Sequence, residues 1–238
     1  MEFQNNFQPP IFYTPDEALS LLVELDLSVF KYQQLRNESK QRNLKSLYPP
    51  YRSVVDAKKK CLPNGTQITE QRASVPLQEL LDHTAQRLVV LQADVINHLV
   101  VGQEAKSIKL KMFFKWGFDG SSGQSQYKQK FQGAGADIDD SSIIISSLVP
   151  IIISHESKVV WYNIKPSSTR LCRPIKLEFK KETAEFTLEE KANMDRKIAA
   201  LQPSNVSLGG LEIQIEHELK CTMVDGKVVS TLSGKLHV

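Results

Sequence analysis

The spacing of apolar residues changes once along this 238-residue chain, and that change limits what it can fold into. Up to about residue 99, hydrophobic side chains recur every three to four positions. From Ile108 onward, Ile108, Leu110 and Met112 alternate with Lys109 and Lys111. The first spacing gives a helix one apolar stripe and the second gives a strand one apolar face, so helices should precede a sheet. The expected fold class is α+β. With 41% hydrophobic and 24% charged residues the chain can bury a real core.

The helical part divides at turn signals. Thr14-Pro15-Asp16-Glu17 has the form of a capping box with proline in the first turn, followed by Ala18, Leu21, Leu22 and Leu25 as the apolar face. After a break at Asp26-Leu27, Ser28 can cap a second helix with Val29, Tyr32 and Leu35 inward. Tyr48-Pro49-Pro50-Tyr51 starts a third that ends in Lys58, Lys59 and Lys60, cations suited to a helix C-terminus. Residues 1–63 therefore read as a basic helical module. Residues 64–104 read as a connection dominated by one long helix from Pro76 to Leu99, and residues 105–238 as the sheet-bearing core.

In the core, a strand from Ile108 ends at Asp119 and a Gly/Ser-rich loop follows. Strands at Ser142–Ser154 and Lys158–Ile164 flank the turn His155-Glu156-Ser157, and another spans Arg173–Phe179. Thr187-Leu188-Glu189-Glu190 has capping-box spacing and opens a helix whose buried side carries Ala192, Ile198 and Leu201. After the turn at Gly209-Gly210, a strand over Leu211–Met223 runs into Val224-Asp225-Gly226 and a short helix. Few helices are available to cover the sheet, so one face is expected to stay bare and to favour a homodimer.

Asp119 and Asp225 thus terminate the first and last strands. If those strands are neighbours, both carboxylates project from one sheet edge, where hard oxygen donors can share divalent metals bridging a scissile phosphate. An Asp-Gly pair at a strand end is by itself most often a turn. What raises the pair above that reading is the surrounding sequence.

Four segments resemble, in order, the catalytic protein of V(D)J recombination and its Transib-type transposon relatives. They are residues 115–128 (KWGFDGSSGQSQYK), 146–150 (SSLVP), 161–174 (WYNIKPSSTRLCRP) and 222–227 (TMVDGK). The likeness covers roughly residues 105 to 230. It implies a partial RNase H-like mixed sheet, Mg²⁺ or Mn²⁺ as cofactor, double-stranded DNA as partner, nicking with strand transfer, and a nuclear location. It carries the family's first two metal-binding and catalytic aspartates onto Asp119 and Asp225. That family's third acidic ligand lies far downstream, beyond a zinc-binding region with CxxC and His ligands, whereas this sequence stops 13 residues after Asp225 (238 − 225). The expectation is a truncated DDE-type recombinase or transposase, inactive by itself. The alternative is a domesticated, non-catalytic DNA-binding or dimerisation module.

Composition removes other classes. The net charge of +3 neither demands nor excludes nucleic acid, so local clusters decide. Lys31, Arg36, Lys40, Arg42, Lys45, Arg52, Lys58, Lys59 and Lys60 make the helical module the candidate DNA-contacting surface, set against the ordinary reading of a solvated helical face. The sequence Gly120–Ser125 lacks GxxxxGK[ST], which argues against nucleotide triphosphate binding, and no small-molecule substrate is expected. Three widely spaced cysteines suggest a reducing compartment, and the apolar run 143–153 is too short to span a bilayer. No Ser/His/Asp arrangement or metal-ligand spacing is evident among the five histidines.

Overall fold

A computed structural model describes residues 11–101, 106–122 and 142–233, and it divides into two units, Met1–Leu62 and Pro63–Val238. In the first, α1 (Pro15–Glu24) starts at Thr14, whose hydroxyl accepts from the Glu17 amide while the Glu17 carboxylate accepts from the Thr14 amide, as the capping box requires. Ser28 caps α2 (Val29–Gln41), and α3 (Tyr51–Lys59) follows Pro50. The core here is small. Ala18, Tyr32 and Val54 are buried, with Leu19, Leu22, Tyr48 and Tyr51 packed around them. Tyr32 and Ser39, rather than Val29 and Leu35, face inward on α2. A large ring whose hydroxyl reaches the Pro49 carbonyl (2.8 Å) fixes the helix rotation and turns those two aliphatics outward. Leu25, at the end of α1, is also exposed.

The second unit is a mixed sheet with helices packed on one face. Its strands are β1 (Gln67–Ile68), β2 (Arg72–Ser74), β3 (Ser107–Ser122), β4 (Ser142–His155), β5 (Lys158–Tyr162), β6 (Arg173–Phe179), β7 (Ser204–Leu208) and β8 (Leu211–Cys221). They pair in the order β1-β2-β6-β4-β3-β8-β7, with β5 also on β4. All described pairings are antiparallel except β3 with β8. The helices are α4 (Leu77–Leu91), α5 (Ala93–Val100), α6 (Ala184–Ala199) and α7 (Gly226–Ser233).

Alternation decides which face is covered. Ile108, Leu110, Met112, Phe114, Trp116 and Phe118 of β3 join Ile213, Ile215 and Leu219 of β8 in one core with Leu81 and Leu88 of α4, Met194 of α6 and Val228 of α7. The other face shows Lys109, Lys111 and Asp119 beside Glu212, Glu216 and Lys220, and no described helix covers it. Lys111 and Lys220 bind Glu218 there (2.9 and 3.2 Å). No helix of the described residues is long and apolar enough to cross a membrane.

Several expected elements differ. The long helix over 76–99 is two helices broken at Gln92, the shared cap of α4 and α5. α6 begins at Ala184 under a Thr183 cap, and Thr187 lies buried inside it. Glu190 is drawn into the core by Lys176 and Ser146, so the inward side is Phe186, Thr187, Glu190 and Met194 while Ala192 is exposed. β3 continues through Asp119 to Ser122 because Ser142–Ile145 pairs with it that far. β5 stops at Tyr162 and β8 at Cys221.

Candidate functional site

Asp119 and Asp225 meet the sheet through its one parallel junction among the described strands. β3 and β8 pair from Ser107↔Glu212 to Trp116↔Cys221, after which the Thr222 and Met223 amides both donate to the Trp116 carbonyl (3.0 and 3.1 Å). The chain leaving β8 then lies directly on Gly117. A Cβ at that position would come within 1.7 Å of the Met223 carbonyl oxygen, so glycine is required by close approach. Asp119 follows Gly117 by two residues and Asp225 follows Met223 by two. Both therefore sit beyond the C-terminal end of the same parallel pair.

The two carboxylates have different surroundings. Asp119 is exposed, with Ile145 opposite it on β4. Asp225 is also exposed but is partly occupied: its Oδ1 accepts from the Val228 amide (2.8 Å) and caps α7. Neither forms an ion pair with a described residue. Mg²⁺ commonly takes one or two carboxylates and completes its shell with water and substrate phosphate oxygens, so the donor chemistry of this pair fits such an ion. Among the described residues no group of three His, Cys, Asp or Glu side chains is gathered as a metal site.

Glu182 is a carboxylate that the sequence reading missed. A Cβ on Gly120 would lie 2.6 Å from its Oε2, which puts Glu182 against the residue next to Asp119. Pairing of Ile143 with both Ser121 and Phe179 carries residues 180–182 to this edge. There Gly120, Ser121, Ser142, Ile143, Lys180, Lys181 and Glu182 line a cleft of about 220 Å³. Its signal in the sequence was the Lys180-Lys181-Glu182 cluster directly after a strand. Residues 123–125 of the Gly/Ser-rich loop lie outside the described residues, as does His237. Glu212, Glu216 and Glu218 occupy the bare face along β8, with Glu218 already held by Lys111 and Lys220.

The basic residues of the helical unit are placed on its surface with unequal freedom. Lys31, Lys45, Arg52 and Lys58 are exposed, and Lys40 is half-buried. Arg36 donates to the Tyr48 carbonyl (3.4 Å), Arg42 pairs with Glu38, and Lys59 pairs with Asp56 (3.4 Å). Lys60 lies exposed just past α3.

A Ser/His/Asp grouping, absent from the sequence reading, does occur. Ser204 Oγ donates to Asp82 and lies 2.6 Å from His217 Nε2. The serine stands between acid and imidazole and is buried, whereas nucleophilic catalysis needs the imidazole between the other two. Burial pushes the His217 imidazole down to about 4, opposed by the charge of Asp82. Neutral His217 donating from Nε2 satisfies the serine and leaves Nδ1 without a partner. The group is a polar joint between α4, β7 and β8.

No family model matches the chain, and no curated protein matches it. Similar solved structures include the Mos1 strand transfer complex, at 12% identity and a TM-score of 0.16 over 98% of this chain and 59% of that one. A pre-cleavage Mos1 transpososome gives 13% identity and 0.13 over 98% and 60%. The Mos1 mariner paired end complex with Mn gives 12% and 0.14 over 83% and 50%. The chain thus spans three fifths or less of those Mos1 chains. At such TM-scores the likeness carries no weight, and the site stands on its own residues.

Proposed function

We propose that the second unit is a partial RNase H-like core of a DDE-type DNA recombinase or transposase, related to the V(D)J and Transib group, and that it is inactive by itself. The observation that carries this reading is the parallel pairing of β3 with β8, which sends Asp119 and Asp225 out at one edge of the sheet. The four sequence segments that resemble the family include both aspartates.

Asp119 and the Oδ2 of Asp225 would hold Mg²⁺ or Mn²⁺ at this edge. When bound, the ion supplies Lewis acidity toward a phosphodiester and lowers the pKa of attacking water. The protein's own contribution is positional. The Gly117–Met223 contact fixes where Asp225 leaves the sheet, and the Val228 amide of α7 holds its carboxylate. Among the described residues no third His, Cys, Asp or Glu side chain gathers with the aspartate pair, and two carboxylates alone would give a rate lower by orders of magnitude, because positioning and charge stabilisation supply most of the catalysis. The helical unit would contact double-stranded DNA through Lys31, Lys45, Arg52 and Lys58, in a nuclear homodimer.

A second reading is a non-catalytic DNA-binding or dimerisation module, favoured by the structural use of Asp225 as a helix cap. Incubation with supercoiled plasmid and Mn²⁺ tests the inactivity shared by both readings: no nicking is expected. Nicking that Asp119→Ala abolishes would overturn it. Manganese binding that depends on both aspartates supports the first reading over the second.

A further inference from the structure

A second concave site lies away from the aspartates, between α6 and the β2/β6 edge. Arg72, Lys176, Glu190 and Lys197, with Gln67 and Ser74, line a pocket of about 180 Å³. That is below the range that encloses a drug-sized ligand and suits a single small polar group.

Its charges do not cancel. Lys176 is buried and bonds Glu190 (2.5 Å) and Glu178 (3.3 Å), and the other Glu190 oxygen accepts from Ser146 (2.8 Å). Both nearby carboxylates are therefore engaged by Lys176. Lys197 is half-buried and Arg72 exposed, and neither forms an ion pair with a described residue. Burial is the main cause holding the Lys197 amine below its usual range; Lys176, Arg72 and Arg196 lower it further, against the pull of Glu190. Glu190 lines the pocket and Glu178 stands across from Arg72, but Lys176 already engages both, so three cations, Arg72, Lys176 and Lys197, face two shared carboxylates, an excess that an oxyanion would relieve.

We infer that the pocket formed by Arg72, Lys176 and Lys197 is an oxyanion site that takes one phosphate group, from a small phosphate ester or from nucleic acid. The guanidinium fork of Arg72 matches two phosphate oxygens, and Lys197 supplies a point charge from the helix side. Gln67 and Ser74 add neutral polar groups at the wall. This site is independent of the metal reading, since none of its residues lies at the aspartate edge.

Titration of inorganic phosphate into the full chain by calorimetry at constant ionic strength tests it. One saturable site is expected. Lys197→Gln and Arg72→Gln should each weaken binding about tenfold or more, because each removes a charge-assisted contact. Lys165→Gln, an exposed lysine elsewhere, should bind as the parent does. Circular dichroism identical to that of the parent shows that each variant is folded. Displacement of bound phosphate by a short DNA duplex assigns the group to nucleic acid. Displacement by a nucleoside monophosphate without displacement by duplex assigns it to a small ester. Absence of saturable binding, or equal binding by all variants, overturns the inference.

Discussion

The two units solve the problem of burial differently. The helical unit closes around Tyr32, with Ala18 and Val54, and leaves Val23, Leu25, Phe30 and other large apolar side chains exposed. The sheet unit gathers a continuous core from six alternate residues of β3 and the apolar faces of its helices. A unit of some sixty residues buries a smaller fraction of its surface than a larger one, so single polar contacts such as Tyr32 to Pro49 matter more in it. The sheet unit concentrates its core on one face, while the other carries Lys109, Lys111, Asp119 and Glu216 alongside Ile145 and Leu177. That arrangement tolerates exposed carboxylates at its edge.

The largest way to disturb this contrast is Trp116→Ala. The ring is 1% exposed, and its loss should cost about 3–5 kcal/mol. Trp116 and Trp161 both belong to the sheet unit, so urea unfolding followed through Trp161 fluorescence reads that unit alone. A change under 1 kcal/mol would show that its core is not continuous through β3.

Acid should separate the units next. His217 is depressed to about 4, below its unfolded value of about 6.5. Between these values the unfolded chain binds the extra proton, so the stabilisation present above pH 6.5 is lost as pH falls toward 4. It amounts to about 3 kcal/mol at most. His217→Gln should flatten that part of the pH profile measured by tryptophan fluorescence. An unchanged slope in the variant would assign the acid sensitivity elsewhere.

The smallest effect is expected from Tyr32→Phe, which strands the Pro49 carbonyl and should cost about 1 kcal/mol. Amide exchange in α2 should accelerate about fivefold while the fluorescence transition of the sheet unit stays fixed. Equal destabilisation of both transitions would mean that the units do not behave as separate cores.

The sequence showed the strands and helices whose cause is local. Thr14 and Ser28 cap as their side chains predict, and the alternation from Ile108 marks the covered face of β3. β7 went unread: Ser204, Val206 and Leu208 alternate ahead of Gly209-Gly210, both at positive φ as a tight hairpin turn requires, but five residues are too short a run to stand out without the partner strand β8. The break at Gln92 carries no glycine or proline, so periodicity alone reads through it. Thr183 and Thr187 offer rival starts for α6, and only the distant Lys176 and Ser146, by taking Glu190 inward, decide between them. At the proposed site, Asp119 and Asp225 are named from sequence and the β3/β8 pairing adds their common edge, whereas the approach of Glu182 to Gly120 depends on the pairing of three strands.

The central claim is that Asp119 and Asp225 share one divalent ion at the β3/β8 edge. Manganese-induced broadening of amide signals in the full chain tests it most directly. The account predicts that broadening centres on residues 117–121 and 223–226, is reversed by excess Mg²⁺, and is lost in both Asp119→Ala and Asp225→Asn. Broadening centred elsewhere, or retained in either variant, would contradict it.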